Sequence, residues 1–285
     1  MAEAGVIETI LSSARGSRPA ARVVFRSWQP TDPVAAVILL HGLGGHSDRF
    51  QECGSFWASR ALAVYAPDLP GFGHTDGPKG HLDSFEPMFT TIEVILARVM
   101  ADHSRLPVFI VAESMGAAVA IDWVSRHPAL LSGLVLLAPA LKDRLNVPVW
   151  RKVEALVHVI VRRRKYYDVP FEPDNFTRDA AIKEVLAADP LEVRRVTAQF
   201  YFAWLPVTAR ALKAAPLLKL PVAVLLPGKD TMIDSDATRV WFEGLPEATR
   251  TLVEYPGLLH GLLVELDRQP VLDDIAAWIR KQVGR

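Results

Sequence analysis

PVFIVAESMGAAVAIDW, residues 107–123, is the stretch on which the fold turns. An apolar run enters Ala112-Glu113-Ser114-Met115-Gly116 and leaves as a segment rich in small residues. That is the pattern of a strand, a sharp turn and a helix, with Ser114 at the turn. In such an elbow the residues two before and two after the serine must be small, because their side chains collide as strand and helix close up. Gly116 meets this need. Ala112 stands where the usual Gly-x-Ser-x-Gly pattern has its first glycine and adds one methyl group, which the crowding tolerates. A serine that merely caps a helix needs none of this, and the rest of the chain decides between the two readings.

Working outward, short apolar runs rich in Val, Ile and Leu read as buried strands at 22–28, 35–42, 61–68, 107–113, 132–139, 221–228 and 249–256. Their continuous apolar character suits parallel strands covered on both faces. Between them Phe85, Met88, Phe89, Ile92, Ile95, Leu96, Val99 and Met100 form one helical stripe, and Pro270 opens a last helix carrying Val271, Leu272, Ile275 and Ile279. Alternating strands and helices predict an α/β fold with a mainly parallel sheet.

The alternation breaks between about Leu141 and Leu220, where amphipathic helices replace buried strands. One carries Val149, Val153, Leu156, Val157 and Ile160; another is expected to open with Asp189 as N-cap and Pro190 in its first turn, then carry Val193, Val196, Phe200 and Trp204. This reads as a helical cap, residues 141–220, on a body made of 1–140 and 221–285. The cap's rings (Trp150, Phe200, Tyr201, Phe202, Trp204) either glue it to the body or line a substrate site.

A serine becomes a nucleophile only with a base and an orienting acid. Asp230 follows the strand at 221–228 and His260 follows the one at 249–256, so the chain order is Ser, Asp, His. Asp234 and Asp236 are rivals for the acid, but lie further into the next helix. In LLHGLGGHSDRF (39–50) the glycine turn after a strand aims backbone N–H groups at the crevice. The amides of Leu43 and Met115 are the expected donors to a tetrahedral oxyanion. His41 reads as a structural residue shaping that loop. Four pieces at matching strand ends make Ser114 a nucleophile.

Composition sets the bounds. The chain has 285 residues, 50% of them hydrophobic, and its 32 basic and 32 acidic side chains cancel. No overall field attracts nucleic acid. A single cysteine, Cys53, excludes an internal disulfide, reads as core filling, and leaves no metal-ligand set. Neither a signal-peptide pattern nor an apolar stretch of about 18 residues is present, so a cytoplasmic location without membrane insertion is expected. The basic run Arg162-Arg163-Arg164-Lys165 reads either as a solvated helix end or as a transient contact with a lipid surface.

With these residues in place, the sequence resembles the α/β-hydrolase superfamily over essentially its whole length. Within it the chain is similar to the monoacylglycerol lipase/lysophospholipase group, on HGLGGHSDRF, YAPDLPGFGHTDG, AESMGAAVA, GLVLLAPAL, LLPGKDTMID and LLHG. The resemblance implies a helical cap inserted between the sixth and seventh strands, a triad of Ser114, Asp230 and His260, an oxyanion hole at Leu43 and Met115, a structural loop carrying Asp68 and Gly73, and no cofactor or metal. It implies hydrolysis of a small-molecule ester or lipid with an apolar acyl chain, through an acyl-enzyme. Arg49 matches the group's motif, but Gly45 stands where a glutamate is usual, and Leu262, Leu263 and Val264 stand where a second histidine can occur. Both departures remove polar groups that could hold glycerol, and the apolar surround of His260 favours a greasy substrate. Arg49, Trp150, Phe200, Trp204 and Leu259 are the candidate substrate contacts. Dehalogenases and epoxide hydrolases of this fold use Asp at the elbow, which Ser114 argues against. Thioesterases and carbon–carbon hydrolases, or a ligand-binding protein that has lost catalysis, are the alternatives.

Overall fold

Each buried run becomes a strand of one eight-stranded sheet, in a computed structural model that describes residues 5–11, 22–127, 129–144, 148–161, 164–169 and 172–284. The sheet contains β1 (Val6–Leu11), β2 (Arg22–Trp28), β3 (Ala35–Leu40), β4 (Leu62–Pro67), β5 (Val108–Glu113), β6 (Gly133–Leu137), then β9 (Val222–Pro227) and β10 (Arg250–Tyr255). Their order across it is β1-β2-β4-β3-β5-β6-β9-β10. From β4 to β10 all pairs are parallel; β1 and β2 add an antiparallel edge. The expectation of a mainly parallel α/β-hydrolase sheet is met. The sequence reading missed β1, whose Glu8 and Thr9 interrupt the apolar run that marked the other strands.

Alternation along the strands supplies two cores. Ile38 and Leu40 of β3 face one way, into a cluster with α2 (Glu86–Asp102) and α3 (Met115–Arg126). Val37 and Leu39 face the other way, toward α1 (Gln51–Ala58) and α9 (Gln269–Val283). Strands β3, β4, β5 and β9 are buried along their whole length, as their unbroken apolar sequence requires. Cys53 lies in this second core; burial pushes its thiol pKa up, and Sγ–H donates to Phe50 O at 3.3 Å.

Between β6 and β9 the chain leaves the sheet for α4 (Val149–Ile160), β7 (Tyr166–Asp168), α5 (Pro173–Phe176), α6 (Ala180–Ala188), β8 (Arg195–Thr197) and α7 (Ala198–Lys213); α8 (Ser235–Glu243) follows β9. Two details differ from the sequence reading. The helix expected to start at Asp189 starts at Ala198, and Thr197 caps it by accepting the Phe200 N–H at 3.2 Å. Asp189 does initiate a turn, accepting the Leu191 N–H at 2.8 Å. The chain after it is then drawn into pairing with the body and into the β7–β8 ribbon. The second difference is orientation. The apolar stripe of α4 faces solvent: Val153 is 56%, Val157 50% and Ile160 70% exposed, while Ala155 on the opposite side is buried. Arg162 and Arg163 of the basic run lie outside the described residues; Arg164 and Lys165 are exposed. Among the described residues no helix is long and apolar enough to cross a membrane.

Candidate active site

Ser114 sits where β5 meets α3, with φ 53° and ψ −115°. That is a left-handed conformation which a side chain other than glycine adopts only under constraint. The surroundings supply it. The Ser114 N–H donates to Leu137 O at 2.9 Å, and the Ser114 carbonyl accepts from Ala117 and Ala140 amides at 3.1 and 3.0 Å. The crowding inferred from the sequence is real at Gly116, where a Cβ would lie 2.5 Å from His41 O and 3.0 Å from Leu40 O. Ala112 accommodates its methyl group in full burial.

Asp230 and His260 come from the loops after β9 and β10. Imidazole Nδ1 lies 2.8 Å from Asp230 Oδ2, and both side chains are almost wholly buried. Asp230 Oδ1 also accepts the amides of Met232 and Ile233 at 2.8 and 3.0 Å. Burial works against the Asp230 carboxylate, yet the His260 contact and these amides hold its pKa below the usual range. Burial likewise pulls the His260 pKa down, but the hydrogen bond and charge of Asp230, together with Glu113, outweigh it and raise the net value. The rival acids are used elsewhere: Asp234 caps α8 and pairs with Lys142 at 2.8 Å, and Asp236 pairs with Arg239.

The turn after β3 lies directly against the serine, with a Cβ at Gly42 reaching within 3.1 Å of Ser114 Cβ. No acceptor among the described residues takes the Leu43 or Met115 main-chain proton, which leaves both amides available as donors. His41 holds this turn. Its Nε2 accepts the Leu69 N–H at 2.9 Å, which puts the ring proton on Nδ1, 2.8 Å from Gly42 O. Desolvation lowers the His41 pKa to about 4, so the ring is neutral and serves as a strut. Asp68 does similar work next door, accepting the Ser47 and His74 amides at 2.7 Å, with Gly73 (φ 51°) so close that a Cβ would overlap its carboxyl.

The other expected residues are dispersed. Arg49 is buried in an ion pair with Glu192 and lies 5.6 Å from the Phe176 ring; burial lowers its pKa to about 10. Phe200 is packed between Phe72 and Phe85, and Trp204 lies on Phe85 at 5.4 Å. Trp150 is 62% exposed on α4, with the Arg151 guanidinium over its ring. Leu259 is half-buried and donates its amide to Glu265. Leu258, Leu262 and Leu263 are buried in the core with the apolar residues of α9, so the apolar sequence around His260 packs its loop. Two clefts of about 620 and 630 Å³ open at the insertion, and neither is lined by Ser114 or His260. Sequence reasoning missed Phe176, Glu192 and Glu265, and gave Asp189 a capping role without its partner His46, because no local pattern marks a residue whose partner is distant in the chain. Among the described residues no cluster of His, Cys, Asp and Glu is suited to a metal ion.

The chain is 28% identical to the phospholipase YtpA of Bacillus subtilis over 248 residues, 86% of this chain and 95% of that protein. It is 28% identical to the monoacylglycerol lipase of Mycolicibacterium smegmatis over 262 residues, 90% of this chain and 92% of that one. The monoacylglycerol lipase structure from Paleococcus ferrophilus superposes with a TM-score of 0.82 at 24% identity, covering 91% of this chain and 99% of its own, a likeness of fold. The profile of the hydrolase family described as "Serine aminopeptidase, S33" matches residues 31–267. This match spans the sheet from β3 to β10, the insertion and all three of Ser114, Asp230 and His260, and the chain belongs to that family.

Proposed function

We propose that this protein hydrolyses carboxylic esters with an apolar acyl chain, through an acyl-enzyme on Ser114. One observation carries the reading: a buried His260–Asp230 pair at 2.8 Å whose imidazole feels the charge of Glu113, the residue next to a serine held at φ 53°. The relatives, named as a phospholipase and a monoacylglycerol lipase, supply the substrate class. In the first step His260 takes the hydroxyl proton as Ser114 Oγ attacks the ester carbonyl. Asp230 keeps the ring proton on Nδ1, which turns Nε2 toward the serine, and stabilises the imidazolium. The Leu43 and Met115 amides receive the oxyanion. The alcohol departs with the proton held by His260. Water, deprotonated by His260, then attacks the acyl-enzyme and releases the acid. No step calls for a metal or cofactor.

The cap, residues 141–220, takes part by meeting lipid. Val153, Val157 and Ile160 form an exposed apolar face, and on the same helix the Arg151 guanidinium lies over the exposed Trp150 ring. An apolar helix face edged by basic residues suits transient contact with an anionic lipid surface.

Replacing Ser114 with Ala tests the mechanism. Turnover of p-nitrophenyl esters and covalent labelling by a fluorophosphonate both disappear in Ser114→Ala; wild-type rates in that variant would sink the assignment. A substrate panel tests the class. Carboxylic esters with apolar acyl chains give the highest kcat/KM, and a tenfold preference for thioesters, carbon–carbon substrates or aminoacyl amides overturns the ester reading.

A further inference from the structure

One continuous piece of the insertion, Phe176 to Val193, grips both loops that carry the chemistry. On the His260 loop, Gly261 N–H donates to Phe176 O at 2.8 Å and the Thr177 hydroxyl donates to Val264 O at 2.9 Å. Arg178 donates to Glu265 through its main-chain N–H at 3.1 Å and its Nε at 3.0 Å. The same carboxylate accepts the amides of Leu259 and Leu266 at 2.9 and 2.7 Å. Glu265 is fully buried, and its contacts bracket His260 on both sides. Phe176 lies 5.8 Å from the imidazole ring.

On the oxyanion loop the same piece makes three more connections. Val193 N–H donates to Gly44 O at 3.1 Å, next to the Leu43 amide. Asp189 Oδ2 meets His46 Nε2 at 2.6 Å, and Glu192 pairs with Arg49 in near-complete burial. Gly44, at φ 84°, is pressed so closely that a Cβ would lie 2.7 Å from Glu192 Oε1. Buried carboxylates of this kind are tolerable only while paired. Lifting the segment would strand Glu265, Glu192 and Arg49 together, so it belongs to the closed body.

We propose that Arg178 and Glu192 are positioning residues for catalysis: through Glu265 and Arg49 they set the His260 loop and the oxyanion loop relative to Ser114. This rests on the reading of Ser114 and His260 as nucleophile and base. A misplacement of about 1 Å in such an array costs roughly a hundredfold in rate, whereas a segment that only walls a substrate pocket alters binding.

The full-length protein separates the two. In Arg178→Gln and Glu192→Gln, kcat for p-nitrophenyl butyrate falls about tenfold or more with KM unchanged, and Arg178→Lys and Glu192→Asp recover part of the loss. Folded variants with unchanged kcat, whether or not KM rises, overturn the proposal. A variant that does not fold is replaced by Asp267→Asn, which loosens Arg178 from its exposed side (Nη2–Oδ2 2.8 Å), or by Asp189→Asn, and is held to the same two outcomes. Ser114→Ala is run beside them. Retained turnover there would remove the underlying mechanism, a failure distinct from that of the positioning role.

Discussion

Glu113 shows how one residue beside Ser114 acts on His260 through its charge. Its carboxyl is buried against Gly42, and desolvation raises its pKa while His260 and Arg49 pull the other way. In return its charge helps to raise the His260 pKa above the ordinary 6.5. The sign for activity follows directly. His260 must be neutral to accept the serine proton, so kcat/KM is lost as pH falls through a value above that of a free histidine. Glu113→Gln removes one of the charges that favour the imidazolium and moves this acid limb to lower pH. A limb that stays in place in the folded variant refutes the coupling. The serine itself was legible from the sequence, because a small residue at position 116 is demanded by local sterics. The company kept by Glu113 was not, because Arg49 and His260 reach it through the fold.

Among the elements, α4 and the segment before α7 mark the limit of periodicity. The spacing of Val153, Leu156, Val157 and Ile160 defined a stripe, and the structure turns that stripe outward. Periodicity says which residues share a face, not what covers the face. Burying such side chains in a bilayer interface yields up to about 1.5 kcal/mol or more each. The triple variant Val153→Ser, Val157→Ser, Ile160→Ser therefore loses a hundredfold or more in partitioning onto anionic vesicles, measured by flotation, while hydrolysis of a short soluble ester continues. Undiminished vesicle binding excludes α4 as the contact. The segment 189–197 taught a different lesson: Asp-Pro is a good helix start, but pairing with Tyr166–Asp168 and the pull of Arg49 and His46 prevail over the local signal.

For the whole molecule, the question is whether cap and body behave as one. Arg210 of α7 reaches Asp122 of α3 with three contacts of 2.7–3.1 Å, and that carboxylate is fully buried. Trp241 Nε1–H donates to Ala211 O at 2.9 Å. With the ties at Arg178 and Glu192, these bonds join the insertion to the body at several separate points. Scanning calorimetry accordingly gives a single unfolding transition, and two resolved transitions would show an independent cap. Arg210→Ala leaves the Asp122 carboxylate, among the described residues, with only the longer 3.5 Å contact to Arg126 and costs about 1–3 kcal/mol of stability. The parallel sheet, the elbow at Ser114 and the strand-end loops bearing Asp230 and His260 were legible before folding. Each of these follows from local rules: unbroken apolar runs, small residues at a tight turn, polar groups where strands stop. The fold alone turns the apolar face of α4 to solvent and bonds the insertion to the loops bearing His260 and Gly44. His46 and Asp189 are 143 positions apart, and Arg178 and Glu265 are 87 apart. No local pattern links such partners; a buried carboxylate such as Glu265 depends on its partners, and burial exists only once the chain has folded.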